Sequence, residues 1–255
     1  MTHPLQSKIL VISDIHGNRE ALQAVLDSER SFDELVFLGD AVAPSPQPAE
    51  TVQLLSELSG IHICGNHDRV MVNESMTENW PKPWKVLDEW VRSSLSTNDF
   101  EYLRELRPDG NYKVGGKDLY LCHGESKGQT RHLLPHSPMS EFLALTRDED
   151  SDMVLFGHSH VQFQKRIGNK RFFNPGSVGQ NRCGNPVACY GVIEDGEFYH
   201  RHVPYDTTPL IEAIYAIEPL NEFPEFREWF GETLTSGFGV GKSEPWTTLA
   251  DQGYI

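Results

Sequence analysis

"IHICGNHD", residues 61–68, decides the fold. An apolar run from Ile61 to Cys64 breaks at Gly65 into Asn66, His67 and Asp68. Consecutive side chains leaving a strand point in different directions, so Asn66 and His67 are not expected to share one task. Four other apolar runs break in the same way. "KILVIS" (8–13) runs into Asp14 and His16, and "ELVFLG" (34–39) into Asp40. "DLYLC" (118–122) runs into His123, and "MVLFG" (153–157) into His158 and His160. Polar groups in α/β sheets collect outside the carboxyl ends of the strands, so these side chains are expected to meet at one sheet edge.

The spacings suit metal binding. Asp14-x-His16 and His158-x-His160 are i, i+2 pairs, which an extended backbone places on one face. The donors are the carboxylates of Asp14 and Asp40, the amide of Asn66 and the imidazoles of His16, His123, His158 and His160. Such a nitrogen and oxygen set suits Mn2+, Fe, Zn2+ or Ni2+ better than Ca2+, and Mg2+ less well than Mn2+. Seven donors are too many for one tetrahedral ion and fit two ions that share a carboxylate. Asp40, alone on its strand, is the natural bridge. One D-x-H or H-x-H pair is weak evidence, and Asp after Gly is commonly a turn or cap residue. Five strand ends sharing the arrangement argue for two divalent ions. His62 sits inside a strand and reads as structural, while His132, His136, His200 and His202 read as surface or loop residues.

Strands and helices alternate from 8 to 64, with helical periods at 18–29 and 49–58, which predicts a βαβ sheet. Residues 69–107 show no strand and hold three tryptophans, at 80, 84 and 90, so a helical insertion is expected there. A helix is expected at 139–149. From 161 to 203 strand follows strand, which predicts hairpins of a second, mixed sheet. Helices are expected at 209–217 and 224–234, and the segment 237–255 has no clear period. The expected organisation is one domain, 1–236, with the insertion at 69–107 and a C-terminal tail at 237–255.

The 255 residues carry a formal charge of −15. That disfavours nucleic acid as a partner and leaves a phosphate substrate in need of a local cation. No apolar stretch is long enough for a membrane span. The start, "MTHPLQSK", lacks an apolar export region, and the four cysteines (64, 122, 183, 189) have no paired spacing. A cytoplasmic location with reduced thiols is the expectation.

At these residues the sequence resembles the calcineurin-like metallophosphoesterase superfamily. The marks stand as Asp14-Ile15-His16, Gly39-Asp40, Gly65-Asn66-His67-Asp68, His123 and Gly157-His158-Ser159-His160. It is most similar to the small bacterial and archaeal phosphodiesterase group related to diadenosine tetraphosphatase, through "NPGSVGQNR" (174–182) and "VPYD" (203–206). The resemblance implies a four-layer α/β/β/α sandwich. It implies one metal held by Asp14, His16, Asp40 and His160, and a second held by Asp40, Asn66, His123 and His158. Two loops depart from the group's pattern, "GDAVAPSPQP" (39–48) and "HGES" (123–126), and bear on substrate choice. No arginine follows Asp40 closely, which disfavours a protein phosphatase.

The expected reaction is hydrolysis of a small phosphate ester, nucleotide-like or a dinucleoside polyphosphate, by a hydroxide bridging the two ions. His67 is the expected proton donor to the leaving group, with Asp68 holding its tautomer and orientation. Arg182 is read either as a phosphate or base contact or as a surface salt bridge. A phosphomonoesterase and a non-catalytic scaffold are the alternatives.

Overall fold

Strand β1 (Ile9–Ile12) reads Ile-Leu-Val-Ile and is buried on both faces, as a strand covered on two sides must be. In the computed structural model, which describes residues 7–73, 77–125, 132–146 and 151–255, it is central to the first of two five-stranded sheets. β2 (Glu34–Phe37) and β3 (Gly60–His62) continue from it in parallel. The crossovers are α1 (Arg19–Ser28) and α2 (Pro48–Ser56). Asn18 caps α1 by accepting a hydrogen bond from the Ala21 amide at 3.1 Å, which satisfies a donor the helix cannot.

β4 (Gly110–Val114), β5 (Lys117–Cys122), β6 (Met153–Phe156), β7 (Gln162–Ile167) and β8 (Lys170–Pro175) form the second sheet, in the order β4-β5-β6-β8-β7. It is mixed: β5, β6 and β8 are parallel, whereas β4 and β7 run antiparallel to their neighbours.

Strand alternation sorts the core into three layers of contact. Ile9, Val11, Val36 and Leu38 meet Leu119, Leu121, Met153 and Leu155 between the sheets. Their neighbours Leu10, Ile12, Leu35 and Phe37 face Ala21, Leu22 and Val25 of α1. On the far side Tyr120, Cys122, Val154 and Phe156 pack on Phe142 and Leu145 of α6 (Met139–Leu145). This is the four-layer α/β/β/α sandwich. The cysteines form no disulfide, and no helix among the described residues is long and apolar enough to cross a membrane.

Several expectations change. The hairpin of β9 (Val187–Glu194) and β10 (Glu197–Pro204) belongs to the first sheet, where β9 runs antiparallel to β1. Local alternation marks a hairpin but not the distant strand it joins. The five strand ends therefore come from both sheets and converge between them. β4 was not expected: its residues alternate half-buried and exposed up to buried Val114, so it is a thinly covered edge strand.

The segment after β3 holds α3 (Asn66–Val72), α4 (Lys82–Ser94) and α5 (Thr97–Glu105), so the helical region begins at Asn66 rather than 69. α7 (Thr208–Tyr215) and α8 (Pro224–Ser236) follow β10, and the last stretch forms α9 (Trp246–Asp251). Trp246 and Leu249 of α9 are buried in the outer core of the second sheet. His3, Ser126 of the "HGES" loop and the end of the 139–149 helix lie outside the described residues.

Candidate metal centre

The candidate ligands sit on strained turns. Asp14, His16, Asp40, His158 and His160 all have positive φ, between 52° and 66°. Such a conformation costs a non-glycine residue about 1–2 kcal/mol. Only Ala43 and Asp195 share it among the other described non-glycine residues. Dense backbone pairing holds the turns in place. The Asp14 amide donates to Gly39 O at 2.9 Å, and the Ile15 and His16 amides both donate to Asp40 O at 2.9 Å. Ser177, in the "NPGSVG" segment, donates its hydroxyl to Asp14 O at 2.7 Å. Asn174 donates to Gly157 O at 2.8 Å, tying the His158 loop to the same segment.

Two of the motif glycines are required by close approach. A Cβ on Gly65 would stand 2.1 Å from Asp40 Oδ1, and one on Gly157 would stand 2.0 Å from Ser13 Oγ. Neither neighbour can move without displacing a candidate ligand's turn.

Six of the expected ligands fall into two compact groups. Asp14, His16 and His160 present ligand atoms within 4.8 Å of one another, and so do Asp40, His123 and His158. The groups are neighbours, with His16 Nε2 3.8 Å from Asp40 Oδ2. Asn66 Oδ1 lies 3.0 Å from His123 Nε2, which places it beside the second group. His67 also has a ring nitrogen in such a group, with His16 and Asp40.

The protonation pattern tests whether the residues suit a cation. His16 Nδ1 donates to Ala43 O at 2.6 Å, His123 Nδ1 to Leu38 O at 2.7 Å, and His160 Nδ1 to Gln180 O at 2.5 Å. A carbonyl can only accept, so each Nδ1 carries the hydrogen and each Nε2 is turned inward. This is the arrangement that orients metal-binding histidines. The Nε2 atoms of His16 and His160 then face each other at 3.0 Å with no hydrogen between them. His160 Nε2 also lies 3.3 Å from Asp14 Oδ1. Asp14 Oδ1 and His158 Nε2 are buried with no hydrogen-bond partner. Buried acceptors crowded in this way repel unless a cation or proton joins them. The residues fit divalent metals.

Charge shifts agree. Burial, with His160 next to it, lowers His16 to about 3. Burial also holds His158 and His160 well below the ordinary histidine value, so both rings stay neutral. His123 goes the other way. Burial opposes its charge, but Asp40's charge and hydrogen bond, Asp14 and the Leu38 carbonyl push it up to about 10. A proton there stands where a metal would draw on the same Nε2.

Asp68 does not orient His67. Its Oδ2 accepts from the Asp40 and Gly65 amides at 2.8 and 2.9 Å, and its Oδ1 from the Ala41 amide at 2.9 Å. Asp68 is the third residue of α3, where a carboxylate turns back to the cap residue's amide rather than toward its neighbour. It locks the Asp40 turn to the start of α3. Burial and Asp40's charge raise it to about 6, against the pull of those three amides. Asp68→Asn is expected to leave at least one buried amide facing an NH2 group and to cost about 1–3 kcal/mol of stability. Chemical denaturation measures this, and an unchanged midpoint would contradict the locking role.

His67 donates its backbone N–H to Asp40 Oδ1 at 2.9 Å, while its ring stands edge-on to His16 with centroids 5.0 Å apart. Its Nδ1 has no partner, and burial lowers its pKa. Arg182 is not a surface residue, being 7% exposed. It donates to His132 Nε2 at 2.9 Å and to His160 Nε2 at 3.4 Å, and lies 4.9 Å from the Trp246 ring centre.

His132, which the sequence suggested was peripheral, belongs to this site. Its Nδ1 donates to His158 O at 3.1 Å, leaving Nε2 to hold Arg182. Burial, then Arg182's charge, lowers it to about 3. No spacing in the sequence marks it. His62 is structural as expected, its Nδ1 lying 2.7 Å from the Tyr102 hydroxyl. Of the departing loops, Glu125 of "HGES" pairs with Arg69 of α3, and Ala43 and Pro44 of "GDAVAPSPQP" line a cavity of about 350 Å³ beside His67 and Arg182.

Residues 8–195 match the model of the calcineurin-like phosphoesterase superfamily domain. An uncharacterized protein of Methanocaldococcus jannaschii, MJ0912, is 29% identical over 91% of this chain and 99% of its own. Phosphodiesterase YfcE of Escherichia coli K12 is 28% identical over 74% of this chain and 88% of its own. A metallophosphoesterase crystal structure from Sphaerobacter thermophilus shares the fold, with a TM-score of 0.68 at 24% identity over 90% of this chain and 99% of that one. With three quarters of its length matched and the motif residues gathered between two sheets, the chain belongs to the calcineurin-like phosphoesterase superfamily.

Proposed function

We propose that the protein is a metal-dependent phosphodiesterase acting on a small nucleotide-like or dinucleoside polyphosphate substrate. The observation that carries this reading is the pair of neighbouring ligand groups in which ring nitrogens and carboxylate oxygens face one another. Asp14, His16, Asp40 and His160 would hold one divalent ion, and Asp40, Asn66, His123 and His158 the other. Mn2+ is the preferred metal for such a mixed set. When bound, two such ions supply Lewis acidity, an activated water and neutralisation of the phosphoryl oxygens.

The chain's own residues set the rest. Arg182, kept in place by His132 and Trp246, would hold a non-bridging phosphoryl oxygen through its guanidinium. His67 lines the cavity that opens beside the ligand groups, which favours it as the residue meeting the leaving group. Its ring is neutral in the free site. A bound phosphate adds negative charge that raises its proton affinity, coupling protonation to substrate binding. The ring can then give that proton to the departing alkoxide. Asp68 acts on none of these atoms but fixes Asp40 and the start of α3 together. The name of the E. coli relative supports a diester over a monoester.

The test compares bis(4-nitrophenyl) phosphate with 4-nitrophenyl phosphate, on protein stripped by chelation and on protein resupplied with Mn2+. Faster hydrolysis of the diester, dependent on added metal, is expected. A faster monoester, or turnover indifferent to chelation, would contradict the proposal.

A further inference from the structure

The cavity beside the ligand groups has a distinct lining. Trp80, Trp84 of α4 and Trp229 of α8 form its apolar wall, and His67 and Arg182 border it toward the reacting side. Trp84 and Trp229 meet edge to face with centroids 6.0 Å apart, so the rings are held in fixed relation. At about 350 Å³ the space admits a flat heterocycle with its sugar. Aromatic walls of this kind bind nucleobases by stacking and tolerate any base, because every base has a π-face.

One polar group breaks that tolerance. Asp88 of α4 lines the same cavity and is 4% exposed. Its Oδ2 accepts from Arg92 Nε at 2.8 Å, while its Oδ1 is buried without a partner. A buried carboxylate oxygen left without a donor is costly, and its natural complement is an N–H on the occupant. A carboxylate can only accept, so it favours a base edge carrying an amine and rejects one carrying only acceptors.

We propose that this cavity is a nucleobase subsite, in which the tryptophans stack on the base and Asp88 Oδ1 accepts from its exocyclic amine. The inference rests on the phosphodiester reading above and narrows its substrate class to phosphate esters of amino-bearing nucleosides. Trp84 and Asp88 act here as specificity-determining residues, distant from the bond that breaks.

Calorimetric titration with adenosine 5′-monophosphate and with purine riboside 5′-monophosphate tests it, since the two differ only in the exocyclic amine. The unsubstituted protein is expected to bind the adenosine nucleotide about tenfold more tightly. Asp88→Asn is expected to bring the two affinities to within about twofold, because an amide can turn either a donor or an acceptor to the base. Trp84→Leu is expected to weaken both by about tenfold while keeping their ratio. Equal affinities in the unsubstituted protein, binding of neither nucleotide, or a preference unchanged in Asp88→Asn would overturn the subsite. Equal affinities in a protein that hydrolyses bis(4-nitrophenyl) phosphate would sink the subsite alone. A selective binder without metal-dependent hydrolysis would keep the subsite and sink the phosphodiesterase reading.

Discussion

Asp40→Asn is expected to lower metal-dependent hydrolysis by about 10³–10⁴-fold, the equivalent of several kcal/mol of transition-state stabilisation. Asp40 is the residue whose loss touches most of the site. Its Oδ2 lies 3.1 Å from His123 Nε2 and 3.8 Å from His16 Nε2, one from each ligand group. Its Oδ1 accepts the His67 amide, so it also sets where the start of α3 lies. Asparagine keeps the shape and an acceptor oxygen but removes the charge on which sharing two cations depends. In the metal-free fold its charge repels the buried Asp68 but pairs with His123, and the pairing outweighs the repulsion, since Asp40 is held well below the ordinary carboxylate range. The variant is therefore expected to melt at a somewhat lower temperature in the presence of a chelator while staying folded at the assay temperature. Activity lost with the fold retained separates a functional role from simple unfolding. A variant that keeps more than about a tenth of the activity would contradict the bridging role of Asp40.

His67→Ala is expected to slow diesters with alkoxide leaving groups by about 10²–10⁴-fold and nitrophenyl esters far less. The reason lies in the leaving group: an alkoxide needs a proton to depart, whereas nitrophenolate leaves as the anion. Alanine preserves the backbone N–H that Asp40 Oδ1 accepts, so the ligand groups should keep their places and both metals. Rates measured across esters of graded leaving-group basicity decide the matter. A steeper dependence on basicity in the variant is expected. Equal loss on every ester would show that the ring binds or ligates rather than donates.

What the sequence disclosed, and what it hid, follows from the range of the interactions involved. Each strand end was legible because a short apolar run followed by Asp, Asn or His is a local pattern. Its consequence was misplaced by one level: β5 and β6 lie in the other sheet from β1, β2 and β3, so the side chains meet between sheets rather than along one edge. Strand pairing over such distances leaves no local trace, which is also why the β9–β10 hairpin was assigned to the wrong sheet. β4 had a local signal, the Gly115-Gly116 turn before "KDLYLC", but its polar alternation hid it.

Asp68 follows His67 in sequence and so suggested itself as its partner. Its place in the first turn of α3 sends the carboxylate back to Gly65 and on to Asp40 and Ala41. A helix starting at Asn66 would have predicted that orientation. The tryptophans at 80 and 84 were visible, yet the cavity they form depends on Trp229, far along the chain. His132 finds Arg182 only through the fold.

Whether Asp40 joins two metal sites can be read by native mass spectrometry of the unsubstituted protein and Asp40→Asn, both equilibrated with Mn2+. Two ions per chain are expected in the first and at most one in the second. A single ion in the unsubstituted protein, or two in both, would contradict the bridging role.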